Sequence, residues 1–137
     1  MESSKEEITM SQLASGRVYA TLAVKSMEEG KKFYGETLGL TQVDENPGGV
    51  TYEAGGGRLF VYEAPTAGTN QATSACWDVE NIEEAVKEIE AAGVVFEVYE
   101  MPGTEWQGPI AVWGPMKSAW FKDPTGNTLM IGSVTKA

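Results

Sequence analysis

VYATLAV at residues 18–24 and TSACWDV at residues 73–79 decide how this chain folds. Each run alternates over seven residues, long enough for a half-buried strand, and the second follows the first by 55 residues. A helix signature comes directly after both. Ser26 with Glu29, and Asn81 with Glu84, have the spacing at which a cap side chain and a first-turn carboxylate satisfy free backbone N–H groups. Met27, Phe33, Tyr34 and Leu38 then share one helical face, as do Ile82, Ala85, Val86, Ile89 and Ala92. Gly39 and Gly93 stand where a left-handed cap would end each helix.

Outward from these helices the pattern returns to period two. Residues 40–43, 50–53 and 59–63 read as strands joined through NPGG at 46–49 and GGG at 55–57. Residues 95–99, 117–121 and 128–133 repeat the plan, with DPTGN at 123–127 as the last turn. The class is therefore α+β. Two βαβββ modules, about residues 17–65 and 73–134, are expected to form a curved mixed sheet around a cavity within one domain, residues 17–137. Residues 1–16 lack the apolar stretch of a secretory signal and read as a polar tail. One difference separates the copies: the second carries an insert, residues 101–116, rich in Gly and Pro and holding Trp106 and Trp113.

Strand parity assigns the faces. Val18, Ala20, Leu22 and Val24 suit packing under the helix, as do Ala75, Trp77 and Val79. Tyr19, Thr21 and Ala23, with Ser74, Cys76 and Asp78, are left to face the cavity.

Composition narrows the function. With 137 residues, 42% of them apolar, the chain can bury one core. Twenty acidic against ten basic residues give a formal charge of −10, which repels phosphate backbones and anionic headgroups, so neither nucleic acid nor a membrane is an expected partner. The absence of histidine removes Ser-His-Asp and Cys-His catalysis and any zinc site that needs imidazole. A single cysteine forms no intramolecular disulfide, and no window is apolar for the roughly 18 residues of a span, so the expected location is cytoplasmic.

The paired modules, the phrase FYGETLGL at 33–40 and the phrase AWFKDPTGN at 119–127 together resemble the vicinal oxygen chelate superfamily, which includes glyoxalase I, extradiol dioxygenases and the bleomycin and fosfomycin resistance proteins. The resemblance runs from Val18 to Val134. It implies four metal-ligand positions, and these fall on Tyr19, Ser74, Met130 and either Val61 or Tyr62. Hydroxyls, a thioether and an aliphatic side chain are poor ligands for a hard or borderline ion, so neither a metal nor another cofactor is expected. Glu53, Glu63, Glu97 and Glu100, near strand ends, read as solvated edge carboxylates.

The candidate ligand-binding residues are Tyr19, Thr21, Tyr62, Ser74, Cys76 and Met130 on the cavity face, with Trp106, Trp113 and Trp120 placed to cover a flat molecule. With no histidine to activate its thiol, Cys76 reads as a small buried filler. The expected function is that of a glyoxalase or bleomycin-resistance-like protein holding a small aromatic or cationic molecule in a metal-free cavity. Cations are favoured because no Lys or Arg occupies an inferred cavity position. The alternative is a lyase, isomerase or dioxygenase of that superfamily with an atypical site, either using Tyr19 and Ser74 without metal or holding a metal in an unusual way, and no catalytic residue is assigned. A homodimer is expected from the resemblance and from the strand edges left at each sheet.

Overall fold

Ser26 Oγ accepts the Glu29 N–H at 3.2 Å and Asn81 Oδ1 accepts the Glu84 N–H at 3.0 Å, so both main helices begin at the caps read from the sequence. The computed structural model describes residues 11–134. Within the expected tail, Ser11–Ser15 forms a short helix, α1, and residues 1–10 lie outside the described residues. The first module is β1 (Ala20–Val24), α2 (Met27–Lys31), β2 (Thr41–Asn46), β3 (Gly49–Ala54) and β4 (Gly57–Glu63). The second is β5 (Thr73–Asp78), α3 (Ile82–Ala91), β6 (Phe96–Glu97), β7 (Glu105–Gln107), β8 (Ile110–Trp113), β9 (Met116–Lys122) and β10 (Thr128–Val134).

The sheets share one topology. In the first the order is β1-β4-β3-β2, with β1 and β4 parallel; in the second it is β5-β10-β9-β8-β7, with β5 and β10 parallel and β6 also pairing with β9. By position β6 is the counterpart of β2, cut to two residues opposite Phe121 and Trp120. The remainder of that β9 edge, from Met116 to Ser118, is taken by β8. The Gly- and Pro-rich insert is thus a sheet-extending hairpin. Its short apolar run Ile110, Ala111, Val112, Trp113 is a strand signal that the surrounding Gly and Pro residues disguised.

Core formation follows parity. Leu22, Val24, Val50, Tyr52, Leu59 and Val61 pack under Phe33 and Tyr34, while Ala119, Phe121, Leu129 and Ile131 pack under Ile82 and Val86 in one continuous cluster. Phe33 and Phe121 couple the halves at a ring separation of 6.5 Å. Val18 departs from its expected place: it is 93% exposed, because β1 pairs with β4 only from Ala20, opposite Leu59. The first helix also changes character. After Lys31 it continues as a wider turn through Thr37, marked by the Leu38 N–H donating to Phe33 O five residues back. Gly39 then takes φ +74°, and the Leu40 N–H reaches Tyr34 O, ending the helix as expected. Lys117 Nζ donates to Glu83 Oε2 at 2.7 Å, tying α3 to β9.

Each sheet keeps one face free of helix. β1 and β5 lie beside each other, so the two sheets meet at their first strands and remain open beyond them.

Candidate functional site

On β9, Ala119 and Phe121 turn into the core, which sends Ser118, Trp120 and Lys122 to the open face of the second sheet. Cross-strand pairing then sets the neighbours of Trp120: Met130 on β10 and Glu97 on β6. Trp106 pairs with Ala111, and Ala111 with Ser118. Ala111 and Ser118 are small and buried, which leaves room above them for indoles.

Trp120 is the hub of an aromatic cluster. Its ring lies 5.7 Å from Tyr99 at 72°, 6.3 Å from Trp106 at 56° and 6.2 Å from Trp113 at 78°. Tilted and edge-to-face contacts suit ring quadrupoles and leave flat ring surface unstacked. The cluster is also held in place, because the Trp113 Nε1–H donates to Thr104 Oγ1 at 3.1 Å. Beside it a cleft of about 710 Å³ is lined by Tyr99, Met101, Trp120, Lys122 and Thr128 on one side and by the linker 68–73 with Gly126 on the other. Gly68 brings the linker close. At φ +78°, a Cβ there would stand 2.4 Å from Thr125 O. Tyr99 carries a raised pKa, chiefly because burial disfavours its phenolate and secondarily because Glu97 is near.

The sequence-derived candidates divide among several places. Trp106, Trp113, Trp120, Met130 and Cys76 share the open face of the second sheet, with Met130 opposite Cys76 in register, while Ser74 lies half-buried on β5. Tyr62 belongs to the first sheet and resolves the ambiguity of register: Val61 is fully buried, whereas Tyr62 projects from the other face and stacks on Phe60 at 5.9 Å. Thr21 is opposite Phe60 in register and exposed. Tyr19 precedes β1 and is 51% exposed.

Cys76 is exposed, contrary to its reading as a buried filler. It borders a second cleft of about 380 Å³ at the junction of the sheets, with Ala20, Arg58, Trp77 and Asp78. Partial desolvation, and then Asp78, raise its thiol pKa, so the thiolate is disfavoured.

The positions implied for a metal do not fit one. Their donors are the phenols of Tyr19 and Tyr62, the Ser74 hydroxyl and the Met130 thioether, with no carboxylate or imidazole among them. Among the described residues, no group of three or more Cys, Asp or Glu side chains is placed to hold an ion.

Sequence reasoning overlooked Tyr99, Met101, Lys122, Thr128 and the linker. Tyr99 read as a strand residue, but β6 stops at Glu97 and frees it. Lys122 gave a signal, since it stands two residues beyond Trp120 on one strand face. It also removes the premise for a cationic ligand, because a lysine does line the cleft.

The family model of the glyoxalase/bleomycin resistance protein/dioxygenase superfamily matches residues 16–131. Solved structures are similar in fold. TnmS3, an antibiotic binding protein from Streptomyces sp. CB03234, gives a TM-score of 0.70 at 20% identity, covering 88% of this chain and 97% of its own. A glyoxalase/bleomycin resistance protein from the same source gives 0.64 at 21%, covering 88% and 100%. A lactoylglutathione lyase from Agrobacterium tumefaciens gives 0.63 at 19%, covering 87% and 93%. No curated protein matches the chain.

Proposed function

The chain belongs to the glyoxalase/bleomycin resistance protein/dioxygenase superfamily, and from that premise we propose that it binds a small, flat aromatic molecule on the open face of its second sheet without the help of a metal ion. The observation that carries this reading is the four-ring cluster around Trp120, of which Trp120 and Tyr99 line a 710 Å³ cleft while Trp106 and Trp113 stand behind Trp120 outside the lining. That volume falls within the few hundred to about 1,000 Å³ of small-molecule sites, and aromatic walls are typical of them. The similarity in fold to an antibiotic binding protein supports binding as the mode of action. It acts, on this reading, as a cytoplasmic homodimer. The acidic, cysteine-poor composition supports the location, and among the described residues no helix is long and apolar enough to cross a membrane. Support for the dimer comes from β2, whose six residues are all exposed along an unpaired edge.

Tryptophan emission tests the reading. Titration with 2-naphthalenemethanol should change the emission saturably, and Trp120→Ala should weaken binding about two- to thirtyfold, the range for losing one desolvated aromatic contact. Unchanged affinity in Trp120→Ala would refute the assignment.

A further inference from the structure

Resting on that reading of the site, we infer that the ligand carries an anionic group, a carboxylate, sulfonate or phenolate, on its aromatic frame, and that Lys122 is its counter-ion. The cleft beside Trp120 has one charged side chain in its wall, and that side chain is Lys122. Other clefts differ in this respect. Arg58 shares its cleft with Asp78, Lys25 shares one with Glu63, and Lys31 shares one with Glu45 and Glu63. Among the described residues Lys122 forms no ion pair, whereas Lys31, Arg58 and Lys117 each have a carboxylate partner.

Spacing supports the pairing. Trp120 and Lys122 are alternate residues on one face of β9, about 7 Å apart along the strand, so the four-carbon stem of the lysine can bring its ammonium to a substituent on a ring that lies against the indole. Thr128 stands directly opposite Lys122 in register and lines the same cleft, and its hydroxyl pairs with the Tyr99 phenol, so the polar groups of this wall are gathered beside the lysine. Glu97 and Glu100, the latter between the cleft-lining Tyr99 and Met101 in sequence, are opposing charges outside the cleft lining. Glu97 lies opposite Trp120 and acts on Tyr99. The formal charge of −10 opposes anions at long range, but at 0.15 M salt such repulsion is screened beyond about 8 Å, leaving Lys122 to set the local sign.

Calorimetric titration at 0.15 M salt with 2-naphthoate, 2-naphthalenemethanol and 2-naphthylmethylammonium separates the terms. The naphthoate should bind about three- to tenfold tighter than the alcohol, with the ammonium compound weakest, as a charge-assisted contact at a partly exposed site requires. Lys122→Gln should bring the naphthoate-to-alcohol ratio to about one, and Lys122→Glu should invert it; thermal melts of these surface variants check that the fold is kept. Equal affinity for naphthoate and alcohol, or tightest binding of the ammonium compound, overturns the role of Lys122 while Trp120→Ala still weakens all three, so the aromatic site stands. If none of the three binds, or Trp120→Ala is without effect, the site and the charge assignment fall together.

Discussion

The Tyr34 hydroxyl donates to Asp123 Oδ2 at 2.7 Å, bonding the first module's helix to the last turn of the second. Asp123 is 4% exposed and fully engaged. Its Oδ1 accepts the N–H groups of Thr125, Gly126 and Asn127 at 3.0, 2.9 and 2.8 Å, and its Oδ2 also accepts Asn127 Nδ2 at 2.8 Å. Asn127 Nδ2 in turn donates to Ala23 O at 2.7 Å, and the Lys25 N–H to Thr125 Oγ1 at 3.1 Å. The DPTGN turn therefore clasps the end of β1, the link to α2 and the wide turn that continues α2, tying the two modules together.

Asp123→Ala strands the Tyr34 hydroxyl and the Asn127 backbone N–H in the core and should cost about 3 kcal/mol or more, whereas Tyr34→Phe leaves Asp123 its other donors and should cost about 1 kcal/mol. Urea unfolding measures both; equal losses would contradict the network. Burial first, and the Asp123 anion second, raise the Tyr34 pKa far above its ordinary 10.0. A group whose folded pKa is raised contributes stability that is fully present below the unfolded value and lost as pH rises through the folded one. Unfolding free energy should accordingly decline above pH 10, and Tyr34→Phe should flatten that alkaline limb.

Much of this fold was legible because it is written twice. The first strand and the cap repeat at 55 residues, the helix-ending glycine at 54, and the later strands keep their order, so each copy corroborates the other. The errors fall where the repeat breaks. Val18 continues the period-two pattern, yet β4 offers it no partner, and pairing rather than pattern ends a strand. The insert has no counterpart in the first copy, so its hairpin had only the local signal at Ile110–Trp113, masked by flanking Gly108-Pro109 and Gly114-Pro115. At the site, Trp106 and Trp113 stood out because no repeat position required them, and Trp120 because it lies on the strand directly after them. Tyr99 and Lys122 did not, since their place at a cleft depends on where β6 stops and where the linker passes.

Alkylation of Cys76 offers a pH profile. Partial burial of the thiol and the neighbouring Asp78 raise its pKa, so iodoacetamide should react with a midpoint above the ordinary 9.0, and Asp78→Asn should move that midpoint down. Alkylation with a midpoint near 7 would mark an activated thiolate and contradict this environment.

Melting with divalent ions tests whether the chain works without metal. An ion bound only by the native state stabilises by mass action, by about 2.7 kcal/mol at one hundred times its dissociation constant. Mn, Ni, Zn and Fe salts should each leave the midpoint within about 1 °C, because hydroxyl and thioether donors hold these ions weakly. A rise of several degrees with one ion would overturn the metal-free reading.

Light scattering at micromolar concentration tests the homodimer. β2 is exposed along its whole length and Val43 is 41% exposed, a sheet edge with unpaired N–H and C=O groups that another chain can satisfy. The open face of the first sheet adds the stacked pair Phe60 and Tyr62, half-buried in the single chain. The measured mass should be twice the 14.7 kDa of one chain, and Val43→Lys should shift it toward the monomer by placing a charge in the contact. A monomer throughout that range would refute the dimer. A dimer unaffected by Val43→Lys would keep the association but move it away from β2.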